Sequence, residues 1–238
     1  IPESKWVYLH GCADAYDRWY ISDRLNYHSS PAMRIVGRET CAMANATIDD
    51  MDFFDLYSCF PSAVEIATRE MGINPDDPRG LTVTGGLAYF GGPGNNYVTH
   101  SIAEMMNKVR GRPGSKGMVT ANGNYVTKQS AGIYSTGAPE RAFAPRDPAE
   151  YQGEIDAAKG PSVQIAANGK ATIETYTVMH DRSGPSYAIL FGRLDDGSRF
   201  IANTPDDAGL LADMTVRDYM GAAGRVTHVD ERNCFVPD

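Results

Sequence analysis

A run of ten residues, Gly85-Gly86-Leu87-Ala88-Tyr89-Phe90-Gly91-Gly92-Pro93-Gly94, constrains this chain more than any other stretch. It follows a short apolar run with Leu81 and Val83, read as a strand. It precedes Val98, Ile102, Met105, Met106 and Val109, whose spacing is helical. A glycine-rich turn between strand and helix lets a ligand approach backbone N–H groups at the positive end of that helix. A purely structural turn uses glycine just as readily, so the run takes its meaning from the segments on either side.

Those segments alternate. Trp6 to Gly11 reads as a strand, followed by an aromatic, irregular stretch to Ser30. Ser30-Pro31 is a helix start, serine as cap and proline in the first turn, continued by Ile35, Glu39, Ala42, Met43 and Ala46. Phe53 to Tyr57 is a buried-looking strand, and from Phe60 a second helix runs through Val64, Ala67 and Met71, with Pro61 and the capping pattern Ser62-x-x-Glu65 at its start. Pro75 to Pro78 breaks the chain before Leu81. After the third helix, Gly117 to Ala121 and Tyr125 to Thr127 form a hairpin about the tight-turn dipeptide Asn122-Gly123. Strands and helices in alternation predict an α/β layered domain over residues 1–136.

The three prolines between Gly137 and Pro148 mark the expected boundary. Beyond it, residues 137–238 change to short strands: 163–165, 171–178, 187–194, 198–202 and 224–229. Asn168-Gly169 and Asp195-Asp196-Gly197 serve as hairpin turns, and an acidic segment runs from Pro205 to Leu211. About five strands in this length suit a small antiparallel β-barrel of the OB type.

At 238 residues the chain holds one large or two small cores. The formal charge of −8 divides as −2 for residues 1–136 and −6 for 137–238. Such a chain, without a long basic run, is a poor partner for nucleic acid or an anionic membrane. Lys108, Arg110 and Arg112 read as a helix C-terminus offsetting its dipole. Cys12, Cys41, Cys59 and Cys234 show neither C-x-x-C nor zinc spacing, so reduced thiols, a cytoplasmic setting and no metal are expected. No apolar run is long enough to span a membrane. The opening Ile1-Pro2-Glu3 lacks an initiator methionine, as a fragment or a processed product would.

Asp55-Leu56-Tyr57-Ser58-Cys59-Phe60, the Gly85–Pro93 run and the hairpin near Ala121-Asn122-Gly123 together resemble the C-terminal half of the thiolase superfamily. The likeness is nearest to the sterol-carrier-protein type, in the "thiolase-like" form with an extra C-terminal domain. The resemblance implies acyl-CoA as substrate or ligand and no other cofactor. It also implies an N-terminal half, absent from this chain, that carries the nucleophilic cysteine. The family places an Asn or His on one loop, a histidine in a G-H-P loop and an acid/base cysteine in a C-x-G loop. Here Tyr57-Ser58-Cys59-Phe60 stands at the first, Gly91-Gly92-Pro93 at the second and Ala121-Asn122-Gly123 at the third. Gly92 and Ala121 carry no proton, so the Claisen chemistry of the family loses its base and its acid.

Two residues remain as catalytic candidates. Tyr57 reads either as a phenolic proton carrier or as a strand-end residue filling the volume of a lost site. His100, two helical turns after Gly92, reads first as a helix-face residue satisfied by a neighbour. Gly85, Gly86 and Gly91 are offered to substrate through their amides. Asn95 and Asn96 cap the helix, with one able to donate to an acyl oxygen.

The resemblance therefore implies a thiolase-superfamily acyl-CoA protein of lipid metabolism, nominally an acyltransferase of the acetyl-CoA acetyltransferase kind, with degenerate catalytic loops. Two alternatives stay open. One is a retro-aldol lyase acting on β-hydroxyacyl-CoA through Tyr57. The other is a non-catalytic protein that binds CoA or lipid, or docks a partner subunit or a second copy of itself.

Overall fold

The computed structural model describes residues 1–238. They form two compact units: residues 1–19 with 26–158, and residues 20–25 with 159–238.

The first unit is built on a four-stranded sheet. Strand β1 (Tyr8–Tyr16) is followed by helix α1 (Pro31–Met43), β2 (Phe53–Asp55), α2 (Pro61–Met71), α3 (Leu87–Phe90), α4 (Tyr97–Gly111), β3 (Lys116–Gly123), β4 (Lys128–Ser135) and α5 (Pro148–Ala157). The sheet order is β1-β4-β3-β2. The β2–β3 pair is parallel, and the β3–β4 and β1–β4 pairs are antiparallel.

Because successive strand residues face opposite ways, each strand feeds two layers. Phe54, Met118 and Ile133 meet Met33 and Cys41 of α1 and Ala67 of α2 on one face. Val119, with Phe53 and Tyr134, meets Met105 and Val109 of α4 on the other. A Cβ at Gly117 would collide with the Met105 side chain, so that glycine sets how closely α4 lies on the sheet. The result is the α/β layering expected.

The helix at Ser30-Pro31 forms as its sequence predicts, Ser30 Oγ accepting from Met33 N at 3.2 Å. Other expectations are corrected. The first strand runs on to Tyr16, held by β4 along its whole length. No strand forms at Leu81; its carbonyl accepts from Leu56 N, and residues 78–86 are irregular. The Ser62-x-x-Glu65 pattern does not cap α2, because Phe60 holds the cap position and Ser62 lies inside the first turn. Asn122-Gly123 extends β3 in register with β4, and the turn falls at residues 124–127. Asn124, Tyr125 and Val126 all have positive φ (56°, 57° and 61°), a left-handed run that is costly for a β-branched valine.

The first unit continues past residue 137 to Ala158, because α5 packs there. Tyr151 and Ile155 sit in one core cluster with Ala13, Ala15, Ile35 and Val36.

In the second unit, β5 (Gly169–Asp181), β6 (Gly184–Leu194), β7 (Arg199–Asn203), β8 (Ala223–Val229) and β9 (Arg232–Pro237) close in the order β5-β6-β7-β9-β8. This is the expected small barrel, antiparallel except where β7 meets β9 in parallel, with Ile173, Leu190, Phe200, Val226 and Phe235 inside. Helix α6 (Ala208–Met214) occupies the acidic segment, Asp207 capping it by accepting from Gly209 N and Leu210 N. Asn168-Gly169 opens β5 and makes no hairpin turn; the β5–β6 turn lies at residues 181–184. Val163 forms only an isolated bridge to Arg199. Strand β9 follows a turn at Asp230-Glu231, where both residues adopt positive φ without glycine to signal it.

Arg199 is fully buried. Its guanidinium pairs with both Glu174 oxygens at 2.6 and 2.7 Å and donates to the carbonyls of Ser22 and Arg24 at 2.5 Å. Arg199 thus ties residues 20–25 to the barrel.

Candidate functional site

In the first unit a cleft of about 530 Å³ opens where β2 and β3 end. Its walls include Tyr57, Ala121–Asn124, Asn95, Tyr97 and Asp14. Lys128, Gln129 and Ser130 of β4 complete one side.

The support beneath it is Asp55, the last residue of β2, whose side chain is fully buried. One carboxylate oxygen accepts from Val83 N (3.0 Å), Thr84 N (3.1 Å) and Thr84 Oγ1 (2.9 Å). The other accepts from Tyr97 Oη (3.0 Å) and Ser101 Oγ (2.8 Å). A buried charge needs such a set of donors to offset its lost hydration. One residue thereby anchors both the glycine-rich loop and the first turns of α4.

Tyr57 stands two residues further on. Its N–H donates to Thr120 Oγ1 at 2.9 Å, and its ring meets Tyr97 edge-on at 5.3 Å between centroids. Burial raises its pKa, with Cys59 and Tyr97 adding to the effect, so it stays a phenol donor at neutral pH. Burial likewise raises the Tyr97 pKa. Ser58 Oγ accepts from Leu87 N at 2.8 Å, joining this strand end to α3. The Cys59 thiol accepts from Asn122 Nδ2 at 3.5 Å, and burial pushes its pKa up, which disfavours the thiolate. Gln129 Nε2 donates to Asn122 Oδ1 at 3.3 Å, which fixes how that amide points.

Of the residues singled out from sequence, the cleft gathers Tyr57, Asn95, Ala121 and Gly123. Gly92 packs against the start of α4: a Cβ there would lie 2.7 Å from Tyr97 Cβ. The amides of Gly85, Gly86 and Gly91 are engaged within their own loop, by Thr82 Oγ1, Thr84 Oγ1 and Leu87 O. They are thus not open to a ligand as the turn suggests. Asn96 holds the cap position of α4 but its side chain does not cap; its amide meets His100 Nε2 at 3.2 Å. His100 packs on Phe90, with Nδ1 buried and unpartnered, and is not among the cleft residues.

Sequence reasoning missed Asp55 and Tyr97 as members of the site. An acid ending an apolar strand and a tyrosine opening a helix were the available signals. Asp14 comes from β1, and Lys128 and Gln129 come from β4, which lies between β1 and β3; only the pairing of these strands brings them to the cleft.

Chemically, the lining offers phenols, amides, one carboxylate and one ammonium group. It holds no imidazole and no thiol. It is equipped to hydrogen-bond a carbonyl and lacks a group that exchanges protons readily near neutral pH.

Residues 150–232 match the thiolase-like protein type 1 additional C-terminal domain. The whole chain is similar to the crystal structure of a monomeric SCP2-thiolase-like protein type 1 from Mycobacterium smegmatis, at 42% sequence identity and a TM-score of 0.92. It spans 52% of that chain, about half its length. A much weaker likeness, with a TM-score of 0.39 and 14% identity over 54% of this chain and 34% of the other, is to the peroxisomal 3-ketoacyl-CoA thiolase of Saccharomyces cerevisiae. No curated protein matches. The chain belongs to the thiolase-like proteins, its α/β unit followed by the additional C-terminal domain of type 1.

Proposed function

We propose that the cleft holds an acyl thioester of the CoA type and does not carry out ordinary thiolase chemistry. One observation carries the reading: the segment bearing Tyr57, the end of β3 with Ala121 and the start of α4 converge on one cleft that contains neither imidazole nor thiol. Tyr57 Oη and the amides of Asn95 and Asn122 are the donors for the acyl oxygen. Losing both the base and the acid of a two-proton reaction costs many orders of magnitude, since such groups act as a unit. Tyr57, a phenol, supports the narrower alternative of retro-aldol cleavage.

A role in lipid metabolism and the participation of the half of the fold outside this chain belong to the same proposal, in which the acyltransferase class is kept only nominally because its catalytic loops are degenerate. Four unpaired cysteines support a reducing, cytoplasmic setting. The similar mycobacterial protein is described as monomeric, and we infer a monomer here also.

Calorimetric titration of the complete protein with CoA, acetyl-CoA and a β-hydroxyacyl-CoA tests the reading. Saturable binding, weakened at least about fivefold by Tyr57→Phe, is expected for a lost hydrogen bond of about 1 kcal/mol. No saturable binding of any thioester would overturn it. Cleavage of the β-hydroxyacyl-CoA that Tyr57→Phe abolishes would establish the lyase instead.

A further inference from the structure

At the opposite end of the same sheet lies a second, more enclosed pocket of about 280 Å³. It sits where β3 begins and β4 ends, one strand-length from the cleft. Three basic side chains line it, His10, Lys116 and Arg141, together with Asn45, Ser135 and a single carboxylate, Glu140.

We propose that this pocket binds the phosphoryl group of a small molecule. Lys116 is half-buried and forms no ion pair; Asp50 acts on it only through space. Arg141, at the exposed rim of the pocket, has no ion-pair partner either, even with Glu140 beside it in sequence. An unpaired cation drawn into a concave polar site is stabilised by an anion, and a guanidinium fork with an ammonium matches phosphoryl oxygens best.

His10 contributes orientation. Its Nε2–H donates to Gly137 O at 2.8 Å, which leaves Nδ1 as the nitrogen free for a ligand. Ser135 Oγ accepts from Gly137 N at 3.2 Å, so the same glycine is held from both sides and the segment over the pocket is tied to β1 and β4.

The volume exceeds what a bare phosphate fills. Glu140, an acceptor-only carboxylate, suits hydroxyl groups and not phosphoryl oxygens, and the Asn45 amide can donate to either. A hydroxylated phosphomonoester fits both ends of the lining. Inorganic phosphate shares its charged part. Nothing in this site depends on the acyl-thioester reading of the cleft.

The test titrates the full chain with inorganic phosphate, glycerol 3-phosphate and glycerol, at matched ionic strength in chloride. Saturable one-site binding of a phosphoryl compound is expected, without binding of glycerol. It should weaken at least about tenfold in Lys116→Met and Arg141→Gln. Tighter binding of glycerol 3-phosphate than of phosphate assigns the site to an organic phosphomonoester, and equal affinity assigns it to free phosphate. In the unaltered protein the ring resonances of His10, followed by NMR, should move with the same saturation curve, which keeps the test independent of how the variants fold. Binding that leaves the His10 resonances still, or no saturation by either phosphoryl compound, overturns the proposal.

Discussion

Gly92 and Tyr97 exclude one another's enlargement: a Cβ on Gly92 would lie 2.7 Å from Tyr97 Cβ and 3.4 Å from its Cα. The obstacle is the Cβ and backbone of the first residue of α4. A side chain at position 92 therefore requires the helix to move. Gly92→Ala and Gly92→His should each lower stability by about 1–3 kcal/mol, the usual cost of overpacking, measured as a shift in urea midpoint. Neither should restore thiolase turnover. A Gly92→His variant of unchanged stability would show that the loop yields more easily than its contacts indicate.

Asp55 is the next residue to test, because five donors converge on its buried carboxylate. Asp55→Ala orphans buried donors from Thr84, Tyr97 and Ser101 at once, which should cost at least about 3 kcal/mol. Asp55→Asn keeps one acceptor oxygen and should fall between the two. Since Tyr97 rests against Tyr57, both variants should also weaken the near-ultraviolet circular dichroism of the tyrosines. A loss below about 1 kcal/mol in Asp55→Ala would mean that water enters and replaces the carboxylate.

How much of this was legible in the sequence depends on the range of the interaction. Local chemistry read well: Ser30-Pro31 starts α1, Phe53–Asp55 is a strand, and Asp195–Gly197 turns between β6 and β7. Signals that tertiary pairing overrides misled. Asn122-Gly123 would make a good turn, but register with Gln129 and Lys128 keeps it in the ladder. The Asp230-Glu231 turn carries no glycine, and Asn124 to Val126 hold left-handed geometry without one, so neither could be found by composition. At the site, Tyr57, Asn95 and Ala121 were named from sequence, and the cleft brings them together. The buried scaffold was not legible, since Asp55 and Tyr97 are 42 residues apart and meet only through packing.

The barrel depends on a pairing of a different kind. Arg199 is fully buried between Glu174 and the carbonyls of Ser22 and Arg24, and Glu174 also pairs with Arg193. Burial raises the Glu174 pKa, but the hydrogen bonds from Arg199 and Arg193 outweigh it and hold the carboxyl below its ordinary value. Removing one partner of a buried pair leaves an uncompensated charge. Arg199→Met should therefore cost about 3–5 kcal/mol and free residues 20–25, detected as faster amide exchange there. Arg193→Met, at the more exposed partner, should cost about 1 kcal/mol or less. Equal losses in the two variants would contradict this division.

Acid should expose a further dependence in the first unit, centred on Asp77. Arg79 donates to it through both side chain and backbone, and these bonds push its pKa down to about 2. The same guanidinium donates to Ile48 O and Met51 O and lies over the Phe54 ring, so Asp77 steadies a clamp on the loop before β2. A folded-state pKa below the unfolded value of about 3.9 gives stability that is complete above that value. It is lost as the pH falls toward 2. Thermal midpoints recorded from pH 7 to pH 2 should thus fall more steeply for the unaltered chain than for Asp77→Asn, with the two curves converging at the acid end. Parallel curves over that range would show that Asp77 carries no such linkage.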